Sequence, residues 1–155
     1  MFDAERGALE SILSSWLTGS IEHVGSTAVH GLDAKPVIDI MAPVQGLEES
    51  RPAIDVVTSA GYAYFPYKAD VMHWFCKPSP TYRTHHLHLV PYESAHWQER
   101  LAFRDALRNS PELAAEYADL KYSLVEQFRH DREAYTDAKT PFVRRVLLKL
   151  SDGSA

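Results

Sequence analysis

The segment from Ile21 to Ala42, IEHVGSTAVHGLDAKPVIDIMA, constrains the fold of this chain more than any other. It holds two apolar runs, a loop of glycine, serine and threonine after the first, and an aspartate, Asp39, inside the second. Pro36 restricts Lys35 to extended backbone, so the run from Val37 to Met41 is predicted to be a strand. Because side chains alternate between the faces of a strand, Asp39 can avoid the apolar core and still lie on a well-held central strand.

The composition is that of an ordinary folded protein. With 155 residues, of which 45% are hydrophobic and 24% charged, the chain is neither disordered nor collagen-like. A chain of this length buries roughly 70% of the surface that it exposes when unfolded, which is enough for one self-sufficient domain. We expect a single domain over residues 1–155, with disorder confined to the ends, most of all from Ser151 to Ala155.

Charge and hydropathy exclude several classes of partner. The formal net charge of −5 argues against binding of duplex nucleic acid, which depends on many contacts from Lys and Arg to phosphate. No apolar run approaches the ~20 residues that span a bilayer, and the N-terminal MFDAERGALE does not resemble a signal sequence. We therefore expect a cytoplasmic protein without a membrane partner. The single cysteine, Cys76, lies beside two aromatic residues and is predicted to be a buried packing thiol.

Hydrophobic periodicity predicts an α+β (mixed α/β) domain in which helices cover one face of a small mixed sheet. Pro141 is expected to kink or restart the last helix. The predicted elements are, in order, a helix from Asp3, which caps it, to Leu17; strands at 21–24 and 37–41; a helix over 48–60; paired aromatic strands near 62–67 and 73–76; a strand at 85–90; and helices after the capping residues Ser94 and Ser110 and from near Asp131 to Leu150.

The glycine–hydroxyl loop is a candidate phosphate site. Gly25 would let a ligand approach the backbone, and the hydroxyls of Ser26 and Thr27 could bond phosphate oxygens, although the same residues also suit a plain turn. Asp39 favours the functional interpretation, because a carboxylate held on a central strand is typical of a metal ligand or of a group that caps a nearby loop.

A second unusual stretch is Arg83-Thr84-His85-His86-Leu87-His88. The two-residue period of a strand places His86 and His88 on one face and His85 with Leu87 on the other. Two neighbouring imidazoles suit a metal or phosphate site, and a polar sheet face is the competing interpretation. Arg83 could bind a phosphate through both of its terminal nitrogens.

Two pairs of residues in the helical half repeat one spacing. Tyr117 precedes Lys121 by four residues, as Tyr135 precedes Lys139, so each pair lies on one helical face. A tyrosine against a base and a lysine on a phosphate would suit a nucleotide, whereas core packing of the tyrosines with outward-reaching lysines is the alternative.

Taken together, these motifs carry a family resemblance. The segments IEHVGSTAVHGLDAKPVIDIM, RTHHLHLV, FRDALR, EYADLKYSL, and DREAYTDAK with FVRRVLL resemble, in order and spacing, the GrpB family, whose fold is similar to that of the nucleotidyltransferase superfamily. The resemblance extends from about Ile21 to Leu148. It implies that Gly25 and Ser26 form a turn for the triphosphate of a nucleotide and that Asp39 is the first of two metal-binding aspartates.

One position of this sequence departs from the pattern of the nucleotidyltransferase superfamily. Met41 stands where the second aspartate is expected, which is usual in GrpB-like sequences and removes one ligand of a two-metal site. His86, His88 and Glu22 are the candidates to complete a divalent metal site with Asp39. Imidazole ligands would favour Mn²⁺, Zn²⁺ or Fe²⁺ over Mg²⁺.

The resemblance supports three hypotheses about function. The first is a metal-dependent enzyme that transfers a nucleotidyl or phosphoryl-bearing group from a nucleotide to a small-molecule acceptor, with Asp39 on the metal and a histidine as ligand or general base. The second is a non-catalytic module for a nucleotide or coenzyme, and the third is an enzyme with one His/Asp-bound metal. The expected phosphate partners are Lys35, Arg83, Lys121 and Lys139.

Overall fold

The chain forms a five-stranded mixed sheet with helices packed on it, which confirms the predicted α+β class. A computed structural model describes residues 2–25, 28, 37–79, 81–127 and 132–153. Within them no helix is both long enough and apolar enough to cross a membrane. The elements are α1 (Phe2–Leu13), β1 (Glu22–Val24), β2 (Ile38–Val44), α2 (Ala53–Ser59), β3 (Ala63–Tyr64), β4 (His73–Pro78), β5 (Arg83–Pro91), α3 (Ala95–Asn109), α4 (Pro111–Gln127) and α5 (Arg132–Gly153).

The strand order is β1-β2-β5-β4-β3, and β2 with β5 is the parallel pair. The other neighbours pair antiparallel. In the parallel register, Asp39 lies opposite His86 and Met41 lies opposite His88. The aspartate of the second apolar run and the histidines of the later strand therefore share one face of the sheet, although 47 positions separate Asp39 from His86.

Helices cover both faces of the sheet, not one as predicted. On one face α1 and α2 bury Leu9, Leu13 and Val57 against a core that includes Ile40 and Phe75. The opposite face, which carries Asp39, packs against α3, and a further apolar cluster joins α3 to α4 and α5. The prediction failed because the apolar runs of β2 and β5 are buried on both sides, a pattern that requires cover on each face.

The first helix differs from the prediction at both ends. It begins at Phe2, so Asp3 lies within the first turn, where a negative charge favours the helix dipole, and does not cap the helix. It ends at Leu13, because the chain then turns and Leu17 forms a bridge with Val44 of β2. Pairing with the sheet thus replaces the last helical turn that the apolar spacing indicated.

The second helix is shorter than predicted because of a proline. It begins at Ala53, after Pro52, whereas the prediction began it at Glu48. Proline has no N–H to bond the carbonyl four residues earlier, so a helix from Glu48 cannot pass through this position intact. The residues before it form hydrogen-bonded turns instead.

The helix starts in the second half of the chain are as predicted. Ser94 Oγ accepts from the backbone N–H of Trp97 at the start of α3, and Ser110 Oγ accepts from that of Leu113 at the start of α4. Pro141 lies inside α5, which continues to Gly153, into the segment for which we expected disorder. Cys76 is buried, as predicted.

A polar contact attaches α1 to the sheet. Glu5 Oε1 accepts from Tyr62 Oη at 2.5 Å and from Lys77 Nζ at 2.6 Å. Burial acts to raise the pKa of Glu5, but the hydrogen bonds from Lys77 and Tyr62 outweigh it, so the pKa is lowered and the carboxylate stays charged. This contact lies on the face of the sheet opposite to Asp39.

Candidate functional site

The candidate site centres on the carboxylate of Asp39. His86 Nδ1 lies 3.0 Å from Asp39 Oδ1, which is a hydrogen bond, and His88 Nε2 lies 3.6 Å from the same oxygen. The parallel pairing of β2 with β5 places Asp39 and His86 side by side, while the two-residue period brings His88 to the same face. Asp39 and His86 retain 26% and 22% of their side-chain surface, so the pair is not sealed inside the protein.

The hydrogen bond defines the charge state of Asp39. Burial acts to raise the pKa of this carboxyl group, but the hydrogen bond from His86, the nearby His88 ring and the charges of both rings outweigh it and hold the pKa well below its usual range. An ionised carboxylate can only accept, so His86 donates through its Nδ1–H. Burial lowers the pKa of His88, whose Nδ1 lies 3.2 Å from Met72 Sδ.

Gly25 packs directly against Asp39. Its φ of +75° lies in the left-handed region, and a Cβ placed on it would lie 2.5 Å from Asp39 Oδ2. The glycine that was predicted to admit a ligand thus also makes room for the carboxylate. Ser26 and Thr27, the other predicted members of the loop, lie outside the described residues, as does Lys35.

Replacement of Gly25 by alanine should lower the free energy of unfolding by about 2–3 kcal/mol, because it adds backbone strain and a collision with Asp39 Oδ2. Urea unfolding of Gly25→Ala, Asp39→Ala and the double variant measures this. The alanine at position 25 should cost less in the Asp39→Ala background, where the collision is absent. Equal costs in both backgrounds would show that the close approach to Asp39 has no energetic consequence.

Three imidazole nitrogens near Asp39 are buried and have no hydrogen-bond partner in the described structure: Nε2 of His86, of His88 and of His96. His96 lies on α3, where its ring stacks on that of His88 with the centroids 6.2 Å apart. Burial and then the positive charge of Arg100 lower the pKa of His96 to about 3, so this ring is neutral. The face of the sheet beside Asp39 is thus lined by imidazoles.

Basic side chains from three helices converge on the same place. Arg100 (α3), Lys121 (α4) and Lys139 (α5), here called the cationic cluster, interact electrostatically with one another or with Asp39 and its histidines. Burial lowers the pKa of Lys121. Burial and then the charge of Lys121 lower the pKa of Lys139 to about 8, against the opposing effect of Asp39. We call the place where the cluster meets Asp39 the sheet–helix junction.

The other predicted site residues have different surroundings. The guanidinium of Arg83 lies 5.0 Å from the ring centroid of Trp74, and this ring in turn lies 5.0 Å from that of His86. Trp74 thus contacts both Arg83 and His86. Tyr117 is buried between Phe103 and Phe142 in the helical core, with Lys121 Nζ 5.6 Å from its ring centroid. Tyr135 belongs to α5, but its side chain lies outside the described part.

The described residues do not by themselves complete the metal site that the resemblance implies. Among the described residues, no group of three or more His, Cys, Asp or Glu side chains is placed to hold a metal ion. Asp39 Oδ1 already accepts from His86, and Glu22 Oε2 accepts from Arg104 Nη1 at 2.9 Å. Met41, at the position of the expected second aspartate, is fully buried.

Arg100 and His96 were missed by the sequence analysis. They are four residues apart, which places them on one face of α3, but polar residues on a helix are usually solvated, so this spacing alone carried no signal. What distinguishes them is that α3 packs on the face of the sheet that carries Asp39.

The mixed sheet and the sheet–helix junction define a class of protein: a small α+β domain with a charged site on one face of its sheet. Comparison with known proteins shows to which family this domain belongs. The profile of the family described as GrpB protein matches residues 1–149, and the chain belongs to this family.

Its relatives include a UPF0157 protein of Pseudomonas aeruginosa, with 41% identity over 94% of this chain and 61% of the relative. The glutamate-rich protein GrpB of Alkalihalophilus pseudofirmus is 34% identical over 95% of this chain and 87% of the relative. The crystal structure of the conserved protein GrpB from Enterococcus faecalis superimposes with a TM-score of 0.81 at 31% identity, over 94% of this chain and 87% of that one. The chain therefore spans less than two thirds of the Pseudomonas protein.

Proposed function

We propose that this chain binds a nucleotide through its phosphate groups at the sheet–helix junction and transfers a nucleotidyl or phosphoryl-bearing group to a small acceptor. The observation that supports the proposal is the cationic cluster. Arg100, Lys121 and Lys139 come from three different helices, yet all act on Asp39 or its histidines.

The charge balance of the cluster favours an anionic ligand. The cluster brings together three basic side chains, and the carboxylate of Asp39 acts on both of its lysines. Burial lowers the pKa of both lysines, and the charge of Lys121 adds to this effect on Lys139. A phosphate group would supply negative charge and several acceptor oxygens, and charge-assisted hydrogen bonds of this kind are among the strongest in proteins.

The neighbouring pair Asp39–His86 supports a transfer reaction in addition to binding. An imidazole beside bound phosphates can take the proton of an attacking hydroxyl group, which is general base catalysis. The cationic cluster would stabilise the negative charge that develops on the phosphoryl oxygens. Because the described side chains at Asp39 do not fit a metal ion, we assign no step to one.

Removal of one charge from the cluster should weaken nucleotide binding. Lys139→Gln should lose roughly 10- to 150-fold in affinity, because one charge-assisted contact contributes about 1.5–3 kcal/mol. Thermal unfolding with a panel of nucleoside triphosphates, each with and without Mg²⁺ or Mn²⁺, measures binding. A ligand at a hundred times its dissociation constant adds about 2.7 kcal/mol, a shift of several degrees for a chain of this size.

The matched control is Lys149→Gln. Lys149 is an exposed lysine on the same helix, so this variant removes the same charge from α5 without a change at the junction. It should retain the wild-type shift. If no nucleotide stabilises the wild type, or if both lysine variants lose the shift equally, the proposed site is wrong.

A second candidate function is a binding module without catalysis. Met41 stands at the position of the expected second aspartate, so Asp39 is the only residue of β2 that carries a carboxylate. Nucleotide consumption separates the two candidates, because a module would bind a triphosphate without converting it when acceptors such as amino sugars, polyols or nucleosides are supplied.

A further inference from the structure

We propose that Asp39 is a positioning residue that holds His86 in one tautomer, and that His86 Nε2 is the proton acceptor of the site, without a metal ion on Asp39. The proton would come from the hydroxyl group of the acceptor, and this part of the inference rests on the proposed function. The tautomer and the absence of a metal ligand role rest on the geometry of the site alone.

The hydrogen bond assigns the tautomer. Asp39 is ionised and can only accept, so the hydrogen of its 3.0 Å contact with His86 resides on Nδ1. In a neutral imidazole with its proton on Nδ1, Nε2 carries the lone pair. That nitrogen is buried and lacks a partner among the described residues, so a ligand hydroxyl would complete its hydrogen bonding.

Packing holds the pair in this orientation. On one side the carboxylate of Asp39 lies close to the backbone of Gly25, since a Cβ at that position would lie 2.5 Å from Asp39 Oδ2. On its other side the His86 ring packs against Trp74 at a centroid distance of 5.0 Å. A carboxylate that fixes the tautomer and orientation of an imidazole is the arrangement by which hydrolases prepare a histidine to act as a base.

The same contacts argue against Asp39 as a metal ligand. A cation at Asp39 Oδ1 would share that oxygen with the Nδ1–H of His86 and would lie beside a hydrogen-bond donor. The carboxylate at Glu22, which was expected to complete the site, instead bonds Arg104, whose Nη1 also donates to the carbonyl of His23. The nearby positive charges of the cationic cluster would further oppose a divalent cation.

The reaction balances without any further reagent. The acceptor hydroxyl group gives its proton to His86 Nε2, and its oxygen forms a bond to phosphorus. The phosphoanhydride P–O bond breaks, and its electron pair leaves with pyrophosphate when a nucleotidyl group is transferred, or with the nucleoside diphosphate when a phosphoryl group is transferred. His86 then returns the proton to the leaving group or to water, so that nothing beyond the nucleotide and the acceptor is needed.

The experiment is NMR of ¹⁵N-histidine-labelled protein at neutral pH without nucleotide, with His86→Gln to assign the ring. In the metal-free wild type we expect a protonated Nδ1 and an unprotonated Nε2 for His86, unchanged by one equivalent of Zn²⁺ or Mg²⁺. Asp39→Asn should lose this preference and show mixed tautomers. Asp119→Asn, which changes an exposed aspartate on α4, should retain it.

Two results would overturn the inference. One is a wild-type His86 protonated on Nε2. The other is a metal ion that binds at one equivalent, shifts the His86 signals and fails to bind to Asp39→Asn. The wild-type spectrum is recorded without nucleotide, so it tests the tautomer even if no nucleotide binds in the thermal assay. It also tests the tautomer if a variant folds poorly.

Discussion

Phe75→Ala should lower the free energy of unfolding by about 3–5 kcal/mol, a large part of the 5–15 kcal/mol that stabilises a typical domain. Phe75 is fully buried on β4, opposite Leu87 of β5 and Tyr64 of β3. It packs in the core between the sheet and the helices α1 and α2. Alanine would leave a cavity that neighbouring strands and helices cannot fill without moving. Urea unfolding monitored by tryptophan fluorescence measures the change.

Phe65→Ala is the matched control. Phe65 is 45% exposed and contacts the ring of Trp74 edge-on, so its loss should cost at most about 1 kcal/mol. Comparable losses in the two variants would mean that the strand and core assignment of β4 is incorrect.

Asp39→Asn should destabilise the unliganded protein by about 2–3 kcal/mol at neutral pH. The variant removes the charge that faces His86, Lys121 and Lys139, and groups that lose a buried partner are left with an uncompensated desolvation cost. Urea unfolding across a range of pH values measures the effect. Inorganic pyrophosphate should then stabilise the variant at least as strongly as the wild type, because the junction has become more positive.

The pH dependence of this effect has a definite sign. The pKa of Asp39 in the folded protein lies below the value of 3.8 that is ordinary for aspartate. A carboxyl group with a lowered folded-state pKa adds stability above its unfolded pKa and loses that contribution as the pH falls toward its folded pKa. The difference between wild type and Asp39→Asn should therefore be full above about pH 5 and should shrink in acid.

Asp119→Asn is the control for charge alone, since Asp119 is exposed on α4. It should stay within about 0.5 kcal/mol of the wild type at every pH. A constant difference between wild type and Asp39→Asn down to pH 3 would contradict the lowered pKa and the charge pairing on which it depends.

Local patterns in the sequence predicted most of the elements. The strand at 85–90 lies within β5, and the serines at 94 and 110 cap α3 and α4, because alternation, capping and proline chemistry act over a few neighbouring residues. The errors were also local. Asp3 does not cap α1, and Pro52 delays α2, since pairing with the sheet and the missing proline N–H outweigh apolar spacing.

Tertiary packing explains why helices cover both faces of the sheet. Apolar runs at 37–41 and 85–90 indicated strands, but neither their partners nor their orientation can be read from a run alone. The parallel pairing of β2 with β5 sets them beside each other, and cover on both faces follows from it. The prediction that helices cover only one face was wrong because it did not take this central pairing into account.

Local sequence patterns identified the groups that could carry chemistry: Asp39 inside an apolar strand, His86 and His88 on one face of another, and the glycine of the glycine–hydroxyl loop. Their meeting depends on the folded sheet, because the register of two strands 47 positions apart is set by the packing of the whole sheet. It likewise gathered Arg100, Lys121 and Lys139 from three helices onto that face. No spacing within one helix specifies such a meeting, because each helix is oriented by the apolar surface that it buries.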